Sequence, residues 1–172
     1  MTLDDLAALF ASPGMGLNYG EALSIRDHML QCAALAATRG LPDALIAAAL
    51  LHDIGWALPT GEPDHETSGA DLLAGLFGEA VIAPIRAHVD AKRWLVANRP
   101  GYGARLSIES RRTLVLQGGP MDEDESAAFA KAPWFAKAIA LREIDDHAKD
   151  PEAAAPPFAK WRPMLGRLVV GV

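Results

Sequence analysis

Ala47-Ala48-Ala49-Leu50-Leu51-His52-Asp53-Ile54-Gly55-Trp56 reads as an apolar helix that ends in two adjacent ionisable side chains and is then stopped by glycine. An uncompensated carboxylate at the end of a buried helix is costly, whereas coordination of a metal compensates the histidine and the aspartate together. A core histidine beside a helix-terminal aspartate is the commoner source of such a dipeptide. The balance shifts because His28, His65 and His88 fall on three other predicted helices and Asp145 on a fourth. Neighbouring helical residues point about 100° apart, so His52 and Asp53 present ligands to two metals more easily than to one.

The 172 residues suit a single domain spanning 1–172, long enough to bury roughly two thirds of the surface its unfolded form exposes. With 51% hydrophobic residues, alanine-rich stretches and no sustained alternating pattern, an all-α fold is expected. One cysteine, Cys32, excludes an internal disulfide and a multi-thiolate zinc site, and it reads as a small core residue. Asp4 and Asp5 stand where a secretory signal needs basic residues, and no apolar run approaches the roughly 18 residues of a membrane span. A cytoplasmic protein with no membrane partner is therefore expected. The formal charge of −6 argues against a nucleic-acid partner but leaves room for a small anion at local basic groups.

Taken in order, the periodicity predicts helices over residues 2–11, 21–39 and 42–53, the last with Pro42 in its first turn. Asp64 is a candidate cap for a helix that carries His65 and runs to about residue 77, where Gly78 breaks it. A helix over 79–96 places His88 and Lys92 on one face, and Ser107 is suited to cap a helix bearing Ser110, Thr113 and Gln117 at helical spacing. Gly118-Gly119-Pro120 ends that helix, and an acidic first turn opens another at 121–125. Arg142, Asp145 and Lys149 follow one stripe of a helix over 134–149, and a surface ion-pair ladder is the simplest reading of it. Residues 158–170 form a last helix or an irregular strap.

His28, His52, Asp53, His65, His88 and Asp145 thus supply six nitrogen or carboxylate ligands from five helices. Such donors suit iron, manganese, zinc or nickel rather than copper(I) or a thiolate cluster. A carboxylate such as Asp53 can bridge two metals, which a neutral imidazole cannot. The order H…HD…H…H…D resembles the HD-domain superfamily of helical metalloproteins. Within it, the chain resembles most the mixed-valence di-iron oxygenases that cleave the carbon–phosphorus bond of organophosphonates. The resemblance runs from about residue 18 to 149 through Asn18-Tyr19-Gly20-Glu21-Ala22, His28-Met29-Leu30-Gln31-Cys32 and His65-Glu66 with Gly69-Ala70-Asp71. It continues through His88-Val89-Asp90-Ala91-Lys92-Arg93, Gln117-Gly118-Gly119-Pro120-Met121 and the segment from Arg142 to Asp145.

This resemblance implies an HD-type helical bundle around a buried binuclear site holding Fe(II) and Fe(III), with O2 as co-substrate. One iron would take His28, His52 and Asp145, the other His65 and His88, and Asp53 would bridge them. Lys92, Ser110, Thr113, Gln117 and Arg142 match the positions that surround the phosphonate, and cations with hydroxyl donors independently suit a dianion. Tyr19 and Glu21 resemble a mobile loop whose tyrosine can occupy an iron site and whose glutamate can receive a substrate amine, although the tyrosine stands one residue nearer the glutamate than in the family pattern. Trp56 replaces a histidine common in the family close to substrate. An indole donates but cannot accept a hydrogen bond, so a different substrate is expected on that side, unless Trp56 packs behind Gly55 without meeting substrate.

The implied function is O2-dependent cleavage of a small, hydroxylated and amine-bearing phosphonate, with release of phosphate. The rival enzyme class is a metal-dependent phosphohydrolase acting on a nucleotide or another phosphate ester. A regulatory HD module, the remaining alternative, would be expected to have lost part of the ligand set. Nothing in the sequence speaks to the oligomeric state.

Overall fold

The computed structural model describes residues 1–18, 20–58 and 64–170. Ten α-helices and two 3₁₀ turns make up the described residues, with no β-strand among them, only an isolated bridge between Phe77 and Val169. The helices are α1 (Leu3–Phe10), α2 (Ile25–Thr38), α3 (Asp43–Leu51), α4 (His65–Leu73) and α5 (Glu79–Asn98), followed by α6 (Tyr102–Arg105), α7 (Ile108–Leu116), α8 (Glu123–Ala130), α9 (Phe135–His147) and α10 (Phe158–Leu168). None of them is long and apolar enough to cross a membrane.

The core is built around α3. Every residue from Leu45 to Leu51 is buried, because α2, α5, α9 and α10 all pack against this helix. A helix enclosed on all sides has no polar face, which is why the run reads as uniformly apolar. Ala47, Ala48 and Ala49 have no measurable exposure, and their small side chains let neighbouring helices approach closely. α5 passes from α4 to α9 and packs on both, while α10 covers α1 and the outer side of α3.

Several boundaries differ from those read in the sequence, each for a local reason. α2 begins at Ile25 rather than at 21, because the Ser24 hydroxyl accepts from the Asp27 amide and caps the helix there. α3 ends at Leu51, and His52 and Asp53 lie in the turn between it and the 3₁₀ segment Ile54–Ala57. Gly55 therefore does not stop α3: it sits inside that 3₁₀ turn, where α4 packs against it. Asp64 precedes α4 without a side-chain capping bond, and α4 ends at Leu73 instead of near 77. Residues 98–107 hold the short α6, entered through Gly101 at φ +75°. Ser107 does cap α7, accepting from the Ser110 amide, and Asp122 forms a reciprocal capping box with Glu125 at the start of α8. The tail forms α10.

Candidate metal centre and anion pocket

The ends and faces of five elements converge on one point. His28 comes from the second turn of α2, His52 and Asp53 from the turn after α3, His65 from the first residue of α4, His88 from the middle of α5, and Asp145 from α9. Four contacts define the geometry around Asp53. Its Oδ1 lies 3.3 Å from His65 Nε2 and 3.7 Å from His88 Nε2, while its Oδ2 lies 3.4 Å from His52 Nε2 and 4.0 Å from His28 Nε2. Asp145 Oδ1 closes the second group, 3.0 Å from His28 Nε2 and 3.9 Å from His52 Nε2. The carboxylate of Asp53 thus turns one oxygen towards each of two histidine pairs.

The other ring nitrogens explain why the Nε2 atoms face inwards. His28 Nδ1 lies 2.9 Å from the Ala148 carbonyl, His52 Nδ1 3.0 Å from Ala49 and His88 Nδ1 2.7 Å from Ile85. A carbonyl can only accept, so each Nδ1 must carry a proton, and in the neutral ring the lone pair then sits on Nε2. Among the described residues His52 Nε2 is buried without a hydrogen-bond partner despite its proximity to two carboxylates, and His65 Nδ1 has only the Glu66 carboxylate near it, at 3.4 Å. The Nε2 atoms of His65 and His88 stand 3.3 Å apart. Ligand atoms bound to one metal at about 2.1 Å lie about 3 Å apart when adjacent, so these spacings fit a donor set able to hold cations. Cys32 Sγ is 3.6 Å from His28 Nε2, farther than Asp145, and burial raises its thiol well above the ordinary range, which disfavours the thiolate a metal needs.

Electrostatics within the cluster are consistent with that reading. Burial works against an imidazolium at His52, but the Asp53 carboxylate, helped by Asp145, outweighs it and raises the group to about 9. Burial, together with His52 and His65, lowers His88 to about 3. Asp53 and Asp145 are held well below the usual carboxylate range although burial opposes this, Asp53 chiefly by His52 and Asp145 chiefly by Arg142. The two ionised carboxylates thus give the cluster the negative charge that favours a cation among its imidazoles.

Beside this cluster opens a cavity lined by side chains from both the cluster and its neighbouring helices. His28, Asp53, Trp56, His65, His88 and Asp145 form its floor, and Lys92, Ser110, Thr113, Gln117 and Arg142 form one wall. Lys92 is 3% exposed, and its ammonium donates to Thr113 Oγ1 at 3.0 Å. Burial, reinforced by Arg142, pushes it down to about 7. Arg142 pairs with Asp145 Oδ2 at 2.7 Å, with the Asp146 carboxylate and with the Tyr102 hydroxyl at 3.2 Å. Gln117 Oε1 is buried without a partner. Trp56 lines the cavity and stacks on the His65 ring at 4.9 Å with a 26° tilt, so it does not pack away from the site.

Glu21 also reaches the cavity, but its carboxylate is already engaged. Its Oε1 accepts from Ser107 Oγ at 2.7 Å and from Lys149 Nζ at 2.9 Å. The stripe of Arg142, Asp145 and Lys149 is accordingly no surface ladder: Arg142 and Asp145 are buried, and all three line the cavity. Lys149 and the Tyr102–Asp146 pair behind Arg142 are the residues that sequence reasoning did not bring to the site. The only available signal was the four-residue spacing from Asp145. Tyr19 lies outside the described residues.

The chain is similar to known proteins. A family model described as the HD domain matches residues 25–123, which include His28, His52, Asp53, His65, His88, Lys92 and the α7 residues, while Asp145 lies beyond it. The chain is 39% identical over 159 residues to the 1-hydroxy-2-(trimethylamino)ethylphosphonate dioxygenase (glycine-betaine-forming) of Leisingera caerulea, covering 87% of this chain and 81% of that protein. It is 42% identical over 141 residues to the hydroxymethylphosphonate dioxygenase of Gimesia maris, covering 76% and 70%. An uncharacterized protein of Acanthamoeba polyphaga mimivirus is 33% identical over 157 residues, covering 85% and 72%.

Proposed function

The chain belongs to the HD-domain family, and from that premise we propose that it is an O2-dependent dioxygenase that cleaves the carbon–phosphorus bond of a small 1-hydroxyphosphonate at a mixed-valence di-iron centre. The observation that carries this reading is the division of Asp53 between two histidine pairs, together with two relatives named as phosphonate dioxygenases. His28, His52 and Asp145 would hold one iron with Asp53 Oδ2, and His65 and His88 the other with Asp53 Oδ1. Bound there, the iron pair would supply Lewis acidity towards the phosphonate and its neighbouring hydroxyl, and electrons for the reduction of O2.

The chain's own residues prepare that chemistry. Lys92 Nζ is positioned to donate to a phosphonate oxygen, and the hydroxyls of Ser110 and Thr113 add neutral donors on the same wall. A dianion in the cavity would restore the proton that burial loosens on Lys92, so binding and protonation at Nζ reinforce each other. Arg142, fixed by Asp145, Asp146 and Tyr102, orients the Asp145 ligand as well as contributing charge. Trp56, stacked on His65, forms part of the cavity lining beside that ligand. These side chains would orient the phosphonate beside the residues that would hold the iron pair, with donors already in place for its charge.

Written for hydroxymethylphosphonate, one molecule of O2 and one of substrate yield formate, hydrogen phosphate and a proton. Oxygen uptake and phosphate release should therefore run one to one. The test loads anaerobically purified protein with iron, seeks a mixed-valence signal by electron spin resonance and follows both quantities on admission of air. Equal phosphate release without O2, or turnover confined to phosphate esters, would assign the protein to the phosphohydrolases instead.

A further inference from the structure

The cavity's charge is distributed unevenly. Apart from the proposed metal ligands, two carboxylates line it, and both already have cations: Glu21 with Lys149 at 2.9 Å, and Glu109 with Arg112. Lys92, which also lines the cavity, has Thr113 Oγ1 as its hydrogen-bond partner and forms no ion pair among the described residues. Apart from the proposed metal ligands, the carboxylates lining the cavity are thus already paired with cations, whereas Lys92 is not paired with a carboxylate. Lys149 is well placed to keep Glu21 paired. It comes from the segment just after α9, crosses to the segment before α2, and also lies 4.0 Å from Asp145 Oδ1. Ser107 at the start of α7 donates to the same Glu21 oxygen, so two separate segments fix the carboxylate.

We propose that Lys149, by occupying Glu21, is a specificity-determining residue that selects 1-hydroxyphosphonates whose far end carries no positive charge. This inference rests on the phosphonate dioxygenase reading above. A substrate ammonium approaching Glu21 meets a carboxylate that is already neutralised and an ammonium of like charge beside it. A neutral group of the same shape meets neither penalty. Without Lys149 the same Glu21 carboxylate would be free to bind a cation, so this one side chain decides which sign of charge is accepted beside Glu21.

The test compares two probes of equal shape: 1-hydroxy-2-(trimethylamino)ethylphosphonate and its tert-butyl isostere, in which carbon replaces the quaternary nitrogen. Binding to the iron-loaded protein is measured anaerobically by calorimetry, and phosphate release is then followed in air. Wild type should bind the neutral isostere more tightly. In Lys149→Met the affinity ratio should move towards the cation by ~10-fold or more, the scale of a charged hydrogen bond, while Lys149→Arg keeps the wild-type order. A ratio unmoved in Lys149→Met, or a wild type that prefers the cation, would overturn the role given to Lys149 while leaving the dioxygenase reading intact. If neither probe binds and no phosphonate yields phosphate with O2, that reading fails and this inference fails with it.

Discussion

Gly55 and His65 touch through their backbones: a β-carbon on Gly55 would stand 1.9 Å from the His65 carbonyl oxygen. Gly69 completes the contact one turn along α4, where an added β-carbon would meet the Gly55 amide nitrogen at 3.0 Å. Two glycines therefore let α4 lie against the 3₁₀ turn that follows Asp53, and this brings His65 Nε2 within 3.3 Å of Asp53 Oδ1.

That contact makes Gly55→Ala a probe of ligand placement. The obstructing atoms are backbone, so α4 must shift away, which should cost about 1–3 kcal/mol of stability as an overpacked site does. His65 should move with it. We expect a lower Tm and selective loss of the iron held by His65 and His88, read by metal analysis. A folded variant with two irons per chain and wild-type stability would contradict this linkage.

Asp53 should act as the bridge for both metals. Its two oxygens face different histidine pairs, so Asp53→Ala should remove both irons rather than one. Asp53→Asn tests charge at nearly constant shape, because an amide offers one oxygen in place of two. Metal analysis decides: a full iron complement in Asp53→Ala would refute the bridge, and retention of one iron would reduce Asp53 to a terminal ligand.

Much of this centre was legible in the chain because its ligands sit on or beside strongly patterned helices. His52 and Asp53 could be placed by the uniformly apolar run before them, and His88 with Lys92 by their four-residue spacing. What a sequence does not carry is which face of a helix is covered by segments far away in the chain. Lys149 looked like the end of a solvated ladder, since its partner Glu21 precedes it by 128 residues. Gly55 looked like a helix stop for a similar reason: what demands a glycine is the His65 carbonyl, which belongs to the next helix. Tertiary neighbours, rather than local propensity, account for both differences.

Lys92 should govern affinity for the anion. Replacing it with alanine should weaken substrate binding by about 1.5–3 kcal/mol, the range for a charged hydrogen bond, without loss of iron. Its ammonium, lowered to about 7 by burial, is charged below that pH and neutral above it. Apparent KM should therefore rise as pH increases past about 7 in wild type, and this limb should vanish in Lys92→Ala. An unchanged KM and kcat in the variant would return Lys92 to a purely structural role in its contact with Thr113.

Trp56 should set how much bulk the pocket admits, as Lys149 sets its charge. The indole stacks on His65 and lines the cavity, so it acts both on a proposed metal ligand and on the space beside it. The two actions can be separated. Trp56→Phe keeps a ring on His65 but removes the indole N–H and some volume. Trp56→His removes more volume and gives the site an acceptor that indole lacks. Losing the stack should cost about 0.5–1.5 kcal/mol, with a matching fall in Tm. If Trp56 also shapes the substrate space, both variants should reorder a panel of hydroxyphosphonates graded by the size of the far group, shifting preference towards larger members. Trp56→His should additionally raise the rank of those able to donate a hydrogen bond. A fall in Tm with the order of preference unchanged would show that Trp56 serves only to hold His65.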